Sequence, residues 1–264
     1  MRAVSLHPDV IVVTSRVWQT TSTILRGPGA ASPEAFVVDS PIYPDELEVL
    51  PALMEQAGFA FSGLLCTHGD WDHLLARLTF ADAALGCAES TAARLAAEPG
   101  AAARGLREFD DGHYVTRPRP LALGAVQALP VPGRCEVGDG ELQLHPAVGH
   151  TVDGMAITIP WAGVLVVGDY LSPVEIPTFA SGSASEYLAT LRRLRPLVAA
   201  SEHVVPGHGH VLDAARALEV LDADEAYLSG LLDGDVDTPL PRGARSSTQR
   251  RHHAENVAAC APPA

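Results

Sequence analysis

Residues 67–73 read Thr-His-Gly-Asp-Trp-Asp-His, which sets His68, Asp70, Asp72 and His73 within one short loop. Two imidazoles and two carboxylates at this spacing are the donor types of a first-row metal centre. The apolar run Gly63-Leu64-Leu65-Cys66 just before them reads as a buried strand. The cluster therefore leaves a strand end, where α/β proteins tend to build their sites. Three further polar residues repeat the design. His150 lies in Gly149-His150-Thr151 after the alternating run Leu142-Gln143-Leu144-His145. Asp169 ends Val164-Leu165-Val166-Val167-Gly168-Asp169, and His208 lies in Pro206-Gly207-His208-Gly209 after Val204-Val205. A metal needs ligands converging from several strands, and four strand-end loops on one edge supply them. Each short piece alone is more often a turn than a ligand. Their order, each behind a hydrophobic run, carries the signal.

On His68-x-Asp70-x-Asp72-His73, His150, Asp169 and His208, the chain resembles the metallo-β-lactamase superfamily of metallohydrolases, from Val10 to Leu232. The resemblance implies an α/β fold, a four-layer αβ/βα sandwich with metals at one edge between two sheets. It implies that His68, Asp70 and His150 hold a first metal and that Asp72, His73 and His208 hold a second. Asp169 would bridge them, and a hydroxide shared by both metals would be the nucleophile. Asp39, after Ala35-Phe36-Val37-Val38, matches the acidic residue that supports the site loops in that family. One position departs from the usual pattern. Most hydrolases of the superfamily carry His-x-His-x-Asp-His, whereas the second imidazole is here Asp70. A carboxylate is a harder, anionic ligand, which moves preference from zinc toward iron or manganese. The cofactors expected are thus two divalent ions, zinc first, with iron or manganese as the alternatives. Diiron relatives with a carboxylate here usually carry Glu and a flavodoxin domain, which nothing in this chain supplies.

The activity implied is that of a binuclear metal-dependent hydrolase of a small carbonyl ester, thioester, lactone or amide. Asp72 would orient the hydroxide, and Tyr170, directly after Asp169, is a candidate donor to the oxyanion or leaving group. Ordinary packing behind the site is the competing reading of Tyr170. The rival function is a non-haem iron oxygenase or redox enzyme on the same fold. Asp70 favours it, and two complete ligand sets oppose it. No C-terminal helical domain of the kind with which glutathione-thioester hydrolases of this fold grip their substrate is expected from residues 233–264. No residue separates lactone from thioester, and a fold does not imply a substrate.

Composition bounds the partners. A net charge of −14 with only 18 basic residues opposes a broad grip on phosphate backbones, so a small-molecule substrate and no nucleic acid are expected. No apolar run approaches membrane-spanning length, and Met1–Pro8 lacks the apolar centre of a secretory signal. A cytoplasmic protein with no membrane partner is the expectation. Cys66, Cys87, Cys135 and Cys260 are scattered, which reads as reduced, mostly buried thiols, with Cys66 a core residue.

The elements that must position the site follow from periodicity. Strands are expected near Val10–Val13 and Val17–Leu25 as a hairpin, then at Ala35–Val38 after a loop containing Gly27-Pro28-Gly29 and Ser32-Pro33. Pro44 with Asp45 and Glu46 starts a helix, and His73–Leu78 a shorter one that would fix His73. Ser90–Arg107 is Ala-rich and helical, broken at Pro99-Gly100, and suits the wall of a pocket; His113 and Tyr114 read as a surface loop. Further strands are expected at Ala125–Leu129, Glu141–His145, Ala156–Ile159 and Val164–Val167, then helices at Ser185–Leu194 and Asp213–Leu232. Residues 1–232 thus read as one catalytic domain. Residues 233–264 read as a linker and tail, with a last helix at Arg250–Val257, that the chemistry does not need. His252-His253 reads as solvent-exposed, His145 as packing, and His210 as a turn residue.

Overall fold

Every residue from Val164 to Val167 is apolar because the strand is covered on both faces: Val164 and Val166 point into one core, Leu165 and Val167 into another. The same alternation separates Leu64 from Leu65 and Val37 from Val38. The structure, a computed structural model, describes residues 1–29, 34–179, 181–243 and 246–261.

In chain order the first half comprises β1 (Arg2–His7), β2 (Val10–Thr14), β3 (Thr21–Arg26), β4 (Glu34–Asp39), α1 (Pro44–Ala57) and β5 (Ala60–Leu65). After the motif loop come α2 (Ala76–Thr79), β6 (Leu85–Ala88), α3 (Glu89–Ala97), α4 (Ala101–His113) and β7 (Val126–Leu129). These seven strands form one sheet in sequence order, antiparallel up to β4 and parallel beyond it. The second half holds β8 (Gly133–Val137), β9 (Gly140–Pro146), β10 (Met155–Ile159), β11 (Val164–Val166) and α5 (Ala184–Ala199). It ends with β12 (His203–Val205), β13 (Leu212–Asp213), α6 (Ala214–Leu232) and α7 (Ser247–Cys260). Its sheet runs β13-β12-β11-β10-β9-β8, with β11 and β12 parallel.

Three apolar cores lie between four layers. Leu47, Leu50 and Met54 of α1 and Leu106 and Phe109 of α4 cover one face of the first sheet with Val37, Leu64 and Cys66. Val12, Leu25, Val38 and Leu65 meet Leu144, Ile157, Val166 and Val205 between the sheets. Leu191 and Leu194 of α5 and Leu221 and Leu228 of α6 cover the second sheet on Leu165 and Val204. This is the four-layer αβ/βα sandwich expected.

Several local expectations shift. The strand expected from Val17 starts at Thr21, because Trp18 and Gln19 both take φ of +53° in a tight turn. β1 and β8 are strands that periodicity did not single out. His73 closes a single 3-10 turn, Trp71–His73, rather than opening a helix. The loop expected at 27–33 runs partly outside the described residues. The tail carries a full helix, α7, capped by Ser246 and docked through buried Asn256, with Val257 and Cys260 against the core under α5 and α6. His253 there meets the Tyr227 hydroxyl at 3.0 Å, rather than standing free in solvent.

Candidate metal centre

Four strand ends deliver the site. The motif loop leaves β5, His150 follows β9, Asp169 follows β11 and His208 follows β12. Backbone hydrogen bonds join these loops across the sheets: Met155 N donates to Thr67 O at 2.7 Å, Gly207 N to Gly168 O at 2.6 Å, and Thr21 N to Gly207 O at 2.7 Å. Asp39, at the end of β4, accepts from Thr67 N at 2.7 Å and from Thr67 Oγ1 at 2.9 Å. Its Oδ2 also lies 3.0 Å from His73 Nδ1, so one carboxylate ties both ends of the motif loop. Ser40 Oγ donates to Asp72 O at 3.0 Å and accepts from Leu75 N at 2.9 Å. Gly207 is required by close approach, since a Cβ there would collide with Asp169 Oδ1.

The structure brings all seven residues expected as ligands into one cluster. His68, Asp70 and His150 form one group, Asp72, His73 and His208 another, and His68, His73 and Asp169 a third between them. Asp169 is central. Its Oδ2 stands 3.2 Å from His150 Nε2, 3.4 Å from His208 Nε2 and 3.8 Å from His68 Nε2. Its Oδ1 stands 3.1 Å from His73 Nε2. Asp70 Oδ2 lies 3.6 and 3.7 Å from Nε2 of His68 and His150. Asp72 Oδ2 lies 3.5 and 3.8 Å from Nε2 of His208 and His73. A tetrahedral ion with bonds near 2.1 Å holds its ligand atoms about 3.4 Å apart, so the spacing fits metal coordination.

The outer ring nitrogens explain which nitrogen faces inward. His150 Nδ1 donates to Thr178 O at 2.8 Å and His208 Nδ1 to Trp18 O at 3.1 Å. A carbonyl only accepts, so Nδ1 carries a proton in both rings and Nε2 is the nitrogen that exchanges one. His68 Nδ1 sits 3.1 Å from Thr67 Oγ1, whose own proton goes to Asp39. Nε2 of His68, His73 and His150 and Oδ1 of Asp169 are buried without a hydrogen-bond partner. Buried polar atoms are normally paired, so this group of orphans is a set that bound metal would satisfy.

Electrostatics in the free cluster run as the geometry dictates. Burial opposes the charge on His208, but Asp169, Glu175 and Asp72 outweigh it and push its pKa up to about 10. His73 and His150 are raised well above the usual imidazole range, against burial, by Asp169 with Asp39 and Asp72 for the first and with Asp70 for the second. Burial works against the Asp169 carboxylate, yet His208, His73 and His68 hold it well below the usual range. Asp70 is likewise held low, against burial, by His150 and His68. A metal held by Nε2 of these histidines would have to displace their protons.

Some functional neighbours had no sequence signal. Arg94 of α3 donates to Asp70 Oδ1 and to Asp153 Oδ1, both at 2.8 Å, while Asp153 Oδ2 accepts Gly69 N at 2.9 Å. Arg94 looked like one more polar position on an Ala-rich helix. Tyr170 is buried, and its hydroxyl accepts the backbone N–H of His150 at 3.0 Å. Tyr187 donates to Asp169 O at 2.9 Å from α5. His145 pairs with Thr158 Oγ1 inside the sheet, and His210 is exposed beyond the His208 turn. Trp18 is 44% exposed beside Trp71, which lies between Asp70 and Asp72 and packs on Gly105 of α4.

The sequence profile of the metallo-beta-lactamase superfamily matches residues 9–228. A search of curated proteins finds no match. Among solved structures, the metallo-beta-lactamase family protein TTHA1429 from Thermus thermophilus superposes with a TM-score of 0.63 at 22% identity, over 87% of this chain and 83% of that one. The DIM-1 metallo-beta-lactamase gives 0.57 at 17% identity, over 85% and 96%. TTHA1623, solved in a di-iron-bound form, gives 0.58 at 20% identity, over 78% and 96%. At these identities the likeness is one of fold.

Proposed function

This chain belongs to the metallo-beta-lactamase superfamily, and from that premise we propose that it is a binuclear metal-dependent hydrolase of a small carbonyl ester, thioester, lactone or amide. The observation that carries the reading is Asp169, whose two oxygens face Nε2 of all four histidines. His68, Asp70 and His150 would hold one ion, Asp72, His73 and His208 the other, with Asp169 shared. Two divalent ions supply an acidified water and a polarised carbonyl at neutral pH.

The chain's own residues do the rest. Thr178 O and Trp18 O keep Nδ1 protonated on His150 and His208, which leaves Nε2 for the metal. Asp39 holds the motif loop to β4, so Asp72 and His73 stay on one side of Asp169. Asp72, with Oδ2 turned into the cluster, is the carboxylate placed to orient an attacking water. Tyr170 and Tyr187 hold the backbones of His150 and Asp169, which supports a positioning role for Tyr170 rather than the donor role expected from its place after Asp169. We assign catalysis to residues 1–232, and zinc as the first choice of metal.

A redox reading on the same fold has one observation in its favour, the carboxylate at Asp70, and a di-iron-bound relative of similar fold adds to it. Metal analysis of purified protein, followed by ester, thioester, lactone, β-lactam and phosphodiester substrates, separates the two. Two zinc ions per chain with carbonyl hydrolysis support the proposal. Iron with oxygen consumption and no hydrolysis would overturn it.

A further inference from the structure

The stretch Ser172–Phe179 between β11 and α5 is buried or half-buried and holds no helix or strand, so its carbonyls need donors from elsewhere. The C-terminal segment supplies them one after another. Gln249 Nε2 donates to Val174 O at 2.9 Å, Arg242 Nη2 to Glu175 O, and Asn256 Nδ2 to Pro177 O at 2.7 Å. The next carbonyl, Thr178 O, is the one that takes Nδ1–H of His150 at 2.8 Å, with Thr178 Oγ1 at 3.3 Å from the same nitrogen.

The donors are themselves anchored. Arg242 pairs with Asp224 Oδ1 of α6 at 2.5 Å, and Asp224 is buried. Asn256 is 4% exposed and gives a second bond, at 3.1 Å, to the hydroxyl of buried Tyr227. Beneath the loop, Ile176 and Phe179 are buried in the core that Val257 and Cys260 also pack against. Without the three donors, Val174, Glu175 and Pro177 would each keep an unpaired carbonyl, and the loop would have to open toward water. Thr178 would then leave His150.

We propose that Arg242, Gln249 and Asn256 form a strap that positions His150 through the Thr178 carbonyl and thereby sets the affinity of the metal position that His150 shares with His68 and Asp70. This rests on the metal reading above, and it reverses the expectation that the chain after Leu232 is dispensable.

The test uses the full chain with Asn256→Leu, which keeps the side-chain size and removes the amide donor to Pro177 O and the Tyr227 hydroxyl without burying a charge. Gln249→Glu is the second variant; it retains the acceptor that caps Ser246 N, loses the bond to Val174 O and adds one negative charge, so it serves if Asn256→Leu fails to fold. Val257→Ala, on the same helix and in apolar contact only, is the control for stability. Two measurements are made: the imidazole Nδ1–H resonance of His150 in metal-free, ¹⁵N-histidine-labelled protein, and a zinc titration against a chromophoric chelator. Loss or shift of the His150 resonance with roughly tenfold weaker binding in one zinc step, as for other partners of metal-bound histidines, supports the strap. Val257→Ala should lower the melting temperature and change neither. Strap variants that match the parent in both measurements would overturn it, as would equal changes in Val257→Ala. A parent that takes up no zinc overturns zinc as the metal of the function proposed above, while the His150 resonance still decides the strap.

Discussion

Arg94 grips the outer oxygen of Asp70 at 2.8 Å while the inner oxygen of the same carboxylate faces His68 and His150. The departure from the common imidazole at this position is therefore not an isolated change. A carboxylate brings negative charge that an imidazole lacks, and the guanidinium beside it offsets that charge. The other arm of Arg94 ends on Asp153, which is fully buried and holds the Gly69 N–H at the turn of the motif loop. One side chain thus ties the loop leaving β9 to the loop leaving β5.

Arg94→Met should for this reason act on stability and on the site together. It leaves the buried Asp153 carboxylate without its guanidinium counter-charge, and breaking such a pair costs about 3 kcal/mol. Urea unfolding measures the loss, and Arg94→Met/Asp153→Asn should recover part of it. A single variant as stable as the parent would mean that Asp153 is satisfied without Arg94.

Asp169→Ala should lower the occupancy of both metal positions, because its two oxygens serve both groups. His208→Ala should empty mainly the position it shares with Asp72 and His73. Hydrolysis should fall by more than roughly a hundredfold in each, beyond the loss usual for outer partners of a ligand. Metal content per chain checks the assignment. Full content in Asp169→Ala would mean that it bridges nothing.

The seven residues expected as ligands were legible because they lie in four loops that each follow an apolar strand, a local pattern that one strand at a time reveals. Arg94, Asp153 and Thr178 were not, since each acts on a residue dozens of positions away and sits in an ordinary local context. Trp18 and Gln19 carry the same limit. Their side chains fit the strand pattern, yet both backbones turn to positive φ, which sends Trp18 O to His208 Nδ1 and Gln19 O to Gly209 N. Asn256 fell inside the last helix expected at Arg250–Val257, in a tail that the chemistry was not expected to need. Its burial depends on a loop carbonyl that no periodicity announces.

The pH dependence of the metal-free protein should run opposite to that of the loaded one. His208, raised to about 10, contributes stability that is complete below its ordinary value of 6.5 and is lost as pH rises toward 10; His73 and His150 act in the same direction. Asp70 and Asp169 are held low, so their contribution is present above the ordinary 3.8 and is lost in stronger acid. Metal takes the Nε2 position that the proton holds, so its stabilisation grows with pH. The gap in melting temperature between loaded and stripped protein should therefore widen from pH 5.5 to 9.5, values that bracket roughly the titration range of a raised histidine. A constant gap would mean that these histidines are not the ligands.

Asp70→His tests the residue that sets this chain apart. The substitution would give its group three imidazoles and free Arg94 from its carboxylate partner, leaving the set less anionic. Preference should move toward zinc, and with less ligand charge a bound water becomes more acidic. In a hydrolase, activity should survive and the pH–rate midpoint should move to lower pH. In an iron oxygenase the same change should abolish turnover. The comparison with Asp70→Ala separates a ligand from a neighbour: a direct ligand predicts metal loss in Asp70→Ala that Asp70→His restores. Equal metal content and rate in both variants and the parent would leave Asp70 as no more than the anchor of Arg94.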